Sequence, residues 1–295
     1  MIIDTTSGDS LRQSVSESLN ISISEIEKVL RTVDKASGKE RYFDCDFFND
    51  RMSEFIDSCN ATMPDMISLY HLSRRLNDDT DFGSSNLFEL LVTDNSITRF
   101  LQRHGFAFEG VEGHVEFSYK NEKNIFPEFS MKPEINYLKL RLGYYPKRTD
   151  FCINGFTVRE TLLKNDYARW LDDGPEFIVK LAEFVDDYTI IDDFKQCSTY
   201  YCFRYDVPFT RVVFDEADSL LEGDKVNYFL KKCLLRMLED MKNDRATIRD
   251  LTNPIVRLMD NDNIMMLSLV GKEIITEEML YSIKKKVSAL YVLQG

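Results

Sequence analysis

The sequence predicts an α+β protein: a central antiparallel or mixed sheet with helical N-terminal and C-terminal regions. Three observations carry that expectation. Apolar residues recur at helical spacing toward both ends of the 295-residue chain. Period-two alternation clusters in the middle. Helices and strands also fail to alternate regularly, as a doubly wound parallel sheet would require. Shifts in pattern set boundaries near 62 and 222. They leave a helical region at 1–62, an α+β core at 63–222 and a helical region at 223–295.

The elements follow in order. Ser24-Glu25-Ile26-Glu27 fits a capping box, and Ile26, Val29, Leu30 and Val33 continue at helical spacing toward a stop at Gly38. A second helix is expected through Phe47, Phe48, Met52, Phe55 and Ile56, and a short strand at Met66-Ile67-Ser68-Leu69-Tyr70. Asn86 to His104 reads as two helical pieces broken near Thr93-Asp94-Asn95, with Gly105 as the C-cap. Val115, Phe117 and Tyr119 alternate with polar residues as in a half-buried strand, and Leu138, Leu140 and Leu142 give the same pattern. Asn154-Gly155, flanked by Phe151-Cys152-Ile153 and Phe156-Thr157-Val158, is a hairpin signal. A helix through Leu162, Leu163, Tyr167, Trp170 and Leu171 should end at Asp172-Asp173-Gly174-Pro175, where Pro175 opens the next helix. Thr199 to Val207 and Thr210 to Phe214 read as strands, and the stripe from Tyr228 to Met241 as a helix. Ile264 to Val270 fits a late strand or a buried helix turn, and Thr276 to Leu293 an amphipathic helix.

Composition narrows the function classes. Fifty acidic against 37 basic residues leave a net charge of −13, which repels a phosphate backbone and argues against direct nucleic-acid binding. The sequence expects no membrane association, since no apolar run approaches a bilayer span. Six scattered cysteines without a C-x-x-C pair, and a start without a signal-peptide core, point to reduced thiols and a cytoplasmic location. Aromatics reach 12%, a supply suited to large interfaces and a homo-oligomer.

No catalytic residue, cofactor or metal ligand is assigned from motifs. Val212-Val213-Phe214-Asp215-Glu216-Ala217-Asp218 resembles the acidic box of helicases. That chemistry needs an upstream phosphate loop, and Gly38-Lys39 and Gly271-Lys272 are each followed by Glu. His71, His104 and His114 lack zinc spacing. Asp44, Asp46 and Asp50 lack the glycine and terminal Glu of a calcium loop, and read as a helix start. One enzymatic alternative stands out. His71, after a short strand and before Arg74-Arg75, resembles the opening of ADP-ribosyltransferases, which would make the protein an NAD-using enzyme with Tyr119 and Glu176 as nominees.

Charge clustering points elsewhere. Between Asp172 and Asp193 stand eight carboxylates against one base, Lys180. Within this stretch Asp186, Asp187, Asp192 and Asp193 are the candidate partner-binding residues, because a basic partner would relieve their mutual repulsion. Residues 225–257 carry eight Lys or Arg against four acidic residues, so opposed patches could meet between subunits. Lys284-Lys285-Lys286 would complement the negative end of the last helix.

The segments Tyr137-Leu138-Lys139-Leu140-Arg141-Leu142-Gly143-Tyr144-Tyr145 and Cys197-Ser198-Thr199-Tyr200-Tyr201-Cys202, with the length and acidity of the chain, resemble phage-encoded Gabija anti-defence proteins. The resemblance implies a non-enzymatic inhibitor in the host bacterial cytoplasm. It would form an oligomer around the bacterial Gabija nuclease–ATPase complex and keep DNA from the nuclease. It transfers no individual site residue.

Overall fold

The computed structural model describes residues 1–37, 43–123, 126–145, 148–242 and 253–281. In chain order these form α1 (Gly8–Leu19), α2 (Ile23–Ser37), α3 (Cys45–Ser58), β1 (Met66–Leu76), α4 (Leu87–Val92) and α5 (Ser96–Arg103). Then come β2 (Phe106–Val111), β3 (His114–Tyr119), β4 (Glu122–Lys123), α6 (Pro133–Arg141), β5 (Asn154–Phe156), α7 (Arg159–Leu162) and α8 (Asp166–Trp170). The chain continues through α9 (Glu176–Val185), α10 (Thr189–Gln196), β6 (Ser198–Pro208), β7 (Val212–Phe214), α11 (Glu222–Met241), β8 (Ile255–Leu258) and β9 (Leu269–Ile274). The fold is α+β, as the sequence patterns predict. A six-stranded antiparallel sheet has the order β7-β8-β5-β1-β6-β9, and β2-β3-β4 form a second sheet.

Two compact units divide the chain, and both are discontinuous. One comprises Met1–Tyr70, Gly155–Leu162 and Asp206–Arg257; the other comprises His71–Asn154, Leu163–Tyr205 and Leu258–Gly295. The linear boundaries near 62 and 222 mark changes of sequence pattern, whereas these units are defined by what packs together.

In the first unit α11 packs against α1, α2 and α3. Its stripe Phe229, Leu230, Cys233, Leu234, Met237 and Leu238 is buried, opposite Leu11, Val15, Ile26, Leu30, Phe48 and Met52. Each large side chain removed from water contributes roughly 1.5–3 kcal/mol. Capping sets the helix starts. Ser7 and Ser10 form a capping box on α1, and Asp44 accepts from Phe47 N–H at the start of α3. The box expected at Ser24 sits two residues earlier. Ser22 N–H donates to Glu25, and Glu25 N–H to Ser22 Oγ. The register of the apolar stripe decides it, because Ile26 must fall on the buried face. The stop expected at Gly38 lies outside the described residues.

The second unit centres on an aromatic core, with Phe100, Phe106, Phe117, Phe151, Phe177 and Phe194 buried beside Leu101, Leu138, Leu142 and Leu181. The break at Thr93-Asp94-Asn95 is observed. Asn95 caps α5 by accepting from Ile97 N–H and Thr98 N–H, and Gly105 takes φ +87° after the helix. β3 is a strand as expected, paired antiparallel with β2 from Val111↔His114 to Phe106↔Tyr119.

Several expectations fail for identifiable reasons. Leu138, Leu140 and Leu142 lie in and just after helix α6, not in a strand. Pro133 stands in its first turn, Glu134 and Arg141 complement the helix dipole at opposite ends, and Ile135, Leu138 and Leu142 are buried at helical spacing. Asn154-Gly155 is no hairpin turn. It lies inside β5, where Tyr70 pairs with Phe156 and a Cβ on Gly155 would come within 2.6 Å of Leu69. Close strand approach, rather than positive φ, requires this glycine. The helix expected through Leu162 and Trp170 is two pieces, α7 and α8, because Asn165 accepts from Tyr167 N–H and restarts it. Helix α10 and strand β8 carry no periodicity long enough to read. The run from Ile264 to Val270 resolves into a 3-10 turn at Met266–Ser268 and the start of β9. Of the last expected helix, residues 277–281 are helical and the remainder, including Lys284-Lys285-Lys286, lies outside the described residues.

Candidate functional site

The chemistry-bearing side chains of the second unit gather on one face of its strands. In β1 the residues beyond Tyr70 alternate, with Leu72, Arg74 and Leu76 buried and His71, Ser73 and Arg75 half-buried. Arg75 stands over the Phe203 ring of β6 at 5.3 Å, which puts the two side chains on the same face. Across β6 and β9, Phe203 opposes Lys272 and Tyr201 opposes Ile274, so those four side chains share that face too. Phe82 completes the group. It contacts Tyr201 and Phe203, with centroids 6.2 and 6.0 Å away, and Lys272 Nζ lies 3.6 Å from its ring centre.

Local hydrogen bonds fix the cluster. Arg75 Nη2 donates to Gly83 O at 2.8 Å and Ser84 Oγ at 2.7 Å, and the Tyr205 hydroxyl donates to Phe82 O at 2.6 Å. His71 Nδ1 lies 2.7 Å from Asn154 O. A carbonyl only accepts, so Nδ1 carries the proton and Nε2 is left as an acceptor. Burial, reinforced by the Arg75 charge, lowers the His71 pKa to about 4, so the ring is neutral near pH 7. The result is a cation–aromatic surface in an otherwise acidic protein.

Beside this face the chain exposes large apolar groups. Leu267 is 94% exposed, Met265 68%, Val270 59% and Ile274 55%. The sequence leaves Ile264 to Val270 open as a strand or a buried helix turn, because apolar residues in succession look the same in a core and at an interface. Large apolar side chains left in water are the raw material of an interaction surface. A second exposed set comprises Phe129, Met131 and Trp170, the last being the sole tryptophan.

The acidic quartet runs from the end of α9 into α10. Asp186 is the left-handed C-cap of α9, with φ 55°. Asp187 accepts from the Thr189 hydroxyl at 2.6 Å, a bond that holds its carboxyl below the usual range. Asp192 and Asp193 lie in α10 and are exposed, with Asp193 Oδ2 3.6 Å from His104 Nε2. Asp186, Asp192 and Asp193 are therefore solvent-facing, whereas Asp187 serves partly as a turn acceptor.

Asp172, at the start of the acidic stretch, is built into the structure. Buried Arg74 donates from Nη1 to Asp172 O at 2.8 Å and Asp172 Oδ1 at 3.1 Å. Its Nη2 donates to Lys195 O and Ser198 O, and its Nε to Ser198 Oγ. Lys195 Nζ adds bonds to Asp172 and Asp173. This clamp ties the end of α10 to the loop after α8, and it makes Arg74 structural.

The ADP-ribosyltransferase nominees are not joined by any described contact. His71 meets Asn154 and Arg75, Tyr119 packs on Phe106 with Lys120 over its ring, and the Glu176 charge acts on Tyr137 and Tyr167. His71 also lies within the eleven-residue β1 and not at its end. In the other unit, the helicase-like box leaves β7 into a turn closed by a Phe214–Ala217 bridge. Asp215 pairs with Arg257 at 3.0 Å, and Glu216 accepts from Tyr228 and Lys232. Asp215 and Glu216 are thus engaged in protein contacts. Among the described residues no group of three or more His, Cys, Asp or Glu side chains is placed to hold a metal ion. All six cysteines are unpaired thiols, and burial with the nearby Asp150 carboxylate raises Cys152 to about 12. No described helix is long and apolar enough to cross a membrane.

No protein-family model matches the chain, and no curated protein or solved structure shows a significant match to it.

Proposed function

We propose that this chain is a stoichiometric, non-enzymatic protein-binding inhibitor whose target is a bacterial anti-phage defence complex of the Gabija nuclease–ATPase type. Bound inhibitor keeps DNA from the nuclease. The single observation that supports binding is the exposure of large apolar side chains. Phe129, Met131, Trp170 and Leu267 are each more than two-thirds exposed, a solvation cost that burial in a complex removes. The acidic surface adds steering toward a basic, DNA-binding partner. The choice of target rests on the sequence resemblance.

Co-expression of the chain with the Gabija nuclease and ATPase subunits, followed by mass measurement, tests the reading. A discrete complex is expected, with DNA cleavage falling in proportion to the molar ratio and no consumption of NAD. The reading is overturned if no complex forms at micromolar concentration in low salt, or if the purified chain turns over NAD through His71.

A further inference from the structure

Strand β9 ends the six-stranded sheet, so among the described residues its outer side pairs with no other strand. The register determines which backbone groups it presents there. Ile275 N–H donates to Tyr200 O at 2.9 Å, and the ladder sets Cys202 opposite Glu273 and Phe203 opposite Lys272. In an antiparallel pair both backbone groups of a residue point to one side, and the side alternates along the strand. Ile275 and Glu273 therefore face β6, while Lys272 and Ile274 turn their N–H and C=O outward. The register shift at Arg204/Tyr205 interrupts the regular edge near Val270. Two outward donors and two outward acceptors remain.

The geometry points to strand addition at this edge by an extended segment of a different protein, running antiparallel to β9 and carrying a carboxylate opposite Lys272. The proposal rests on the protein-binding reading above and names its chemistry. Lys272 is held over the Phe82 ring, with Tyr201 5.7 Å away, so its charge is fixed in position on the exposed face. Ile274 on one side and the Met265-Met266-Leu267 turn on the other offer apolar contact to residues flanking that carboxylate.

A second copy of this chain fits the edge poorly. Two-fold antiparallel pairing brings together residues of the same parity. Of the three registers centred on residues 272–274, two place Lys272 against Lys272 or Glu273 against Glu273, and the third sets Ile274 against Ile274 and leaves Lys272 opposite Thr276, with no carboxylate partner. Like charges directly opposite are destabilising. A lysine on an edge strand is a known device against self-association, and it becomes a recognition element for an acidic strand.

The test titrates the full chain with two synthetic peptides built on Val-Thr-Glu-Thr-Val and Val-Thr-Lys-Thr-Val, following amide shifts and hydrogen exchange at Lys272 and Ile274. The glutamate peptide is expected to bind about two- to fivefold tighter than the lysine peptide and to slow exchange at both amides. Lys272→Glu should reverse the preference. Ile274→Pro removes only an outward N–H and is tolerated at an edge; it should abolish binding, whereas Ile274→Thr should retain it. Equal affinity for the two peptides, or unprotected amides with both, overturns the proposal. So does concentration-dependent protection in the free chain, which would assign the edge to a second copy. A defence complex that forms undiminished with Ile274→Pro and Lys272→Glu removes this edge but leaves the inhibitor reading standing. Failure to form any such complex, with the peptide results intact, overturns the target and leaves the edge.

Discussion

Replacing Arg74 by alanine should destabilise the second unit by about 3 kcal/mol, at the lower end of the range for breaking a buried pair. The magnitude follows from what is stranded. Five hydrogen bonds from one guanidinium are lost, to Asp172, Lys195 and Ser198. The Asp172 side chain is only 8% exposed and loses its partner at 3.1 Å. Lys195 Nζ, 3.0 Å from Asp172 Oδ2, remains and tempers the cost. Arg74 also stands 5.9 Å over the Tyr200 ring, a contact contributing about 0.5–1 kcal/mol. Urea unfolding followed by circular dichroism and by fluorescence of Trp170, two residues from Asp172, measures the change. The midpoint should fall at unchanged slope. Lysine at 74 should recover little, because it lacks the planar fork. A loss below about 1 kcal/mol would refute the clamp, since ordinary surface substitutions cost that little. Because the clamp anchors both ends of the segment holding the acidic quartet, partner binding should weaken along with stability.

Other expectations follow from single contacts. Gly155→Val should destabilise by about 1–3 kcal/mol through its clash with Leu69, read by thermal unfolding; a neutral variant would show that β5 is not held that close. His71 has its pKa depressed from 6.5 to about 4. Its contribution is therefore fully present above 6.5 and is lost as pH falls toward 4, by up to about 3 kcal/mol. His71→Asn should flatten stability over that window, and an unchanged pH profile would contradict the burial argument. Cys152, raised to about 12, should resist alkylation in the native protein at pH 8 and react only on unfolding. Charge reversal at Asp186, Asp192 and Asp193 should slow association with a basic partner in low salt, with the difference shrinking as salt rises; identical on-rates would take the quartet out of recognition.

Local chemistry made much of this protein legible from sequence. The fold class, the α11 stripe, the β3 alternation and the break at Asn95 depend on side chains a few residues apart, and each is observed. Leu138-Leu140-Leu142 misled because three alternating leucines satisfy both periods, and only Pro133 and the buried pair Ile135 and Leu138 separate helix from strand. Gly155 misled because a glycine demanded by a neighbouring strand looks like one demanded by a turn. The acidic quartet was visible as charge, but its division into a turn acceptor at Asp187 and solvent-facing groups at Asp186, Asp192 and Asp193 was not.

Sequence alone thus determined composition-driven properties and local periodicity: an acidic α+β chain with aromatic excess. Tertiary structure decided which apolar residues stay in water, that Arg74 and Arg75 face opposite ways from adjacent positions, and that Lys272 ends on an edge beside Phe82. The reason is physical. Strand order, and the exposure of an apolar run, depend on contacts between residues far apart in the chain, and neither leaves a periodic mark on the residues that make them.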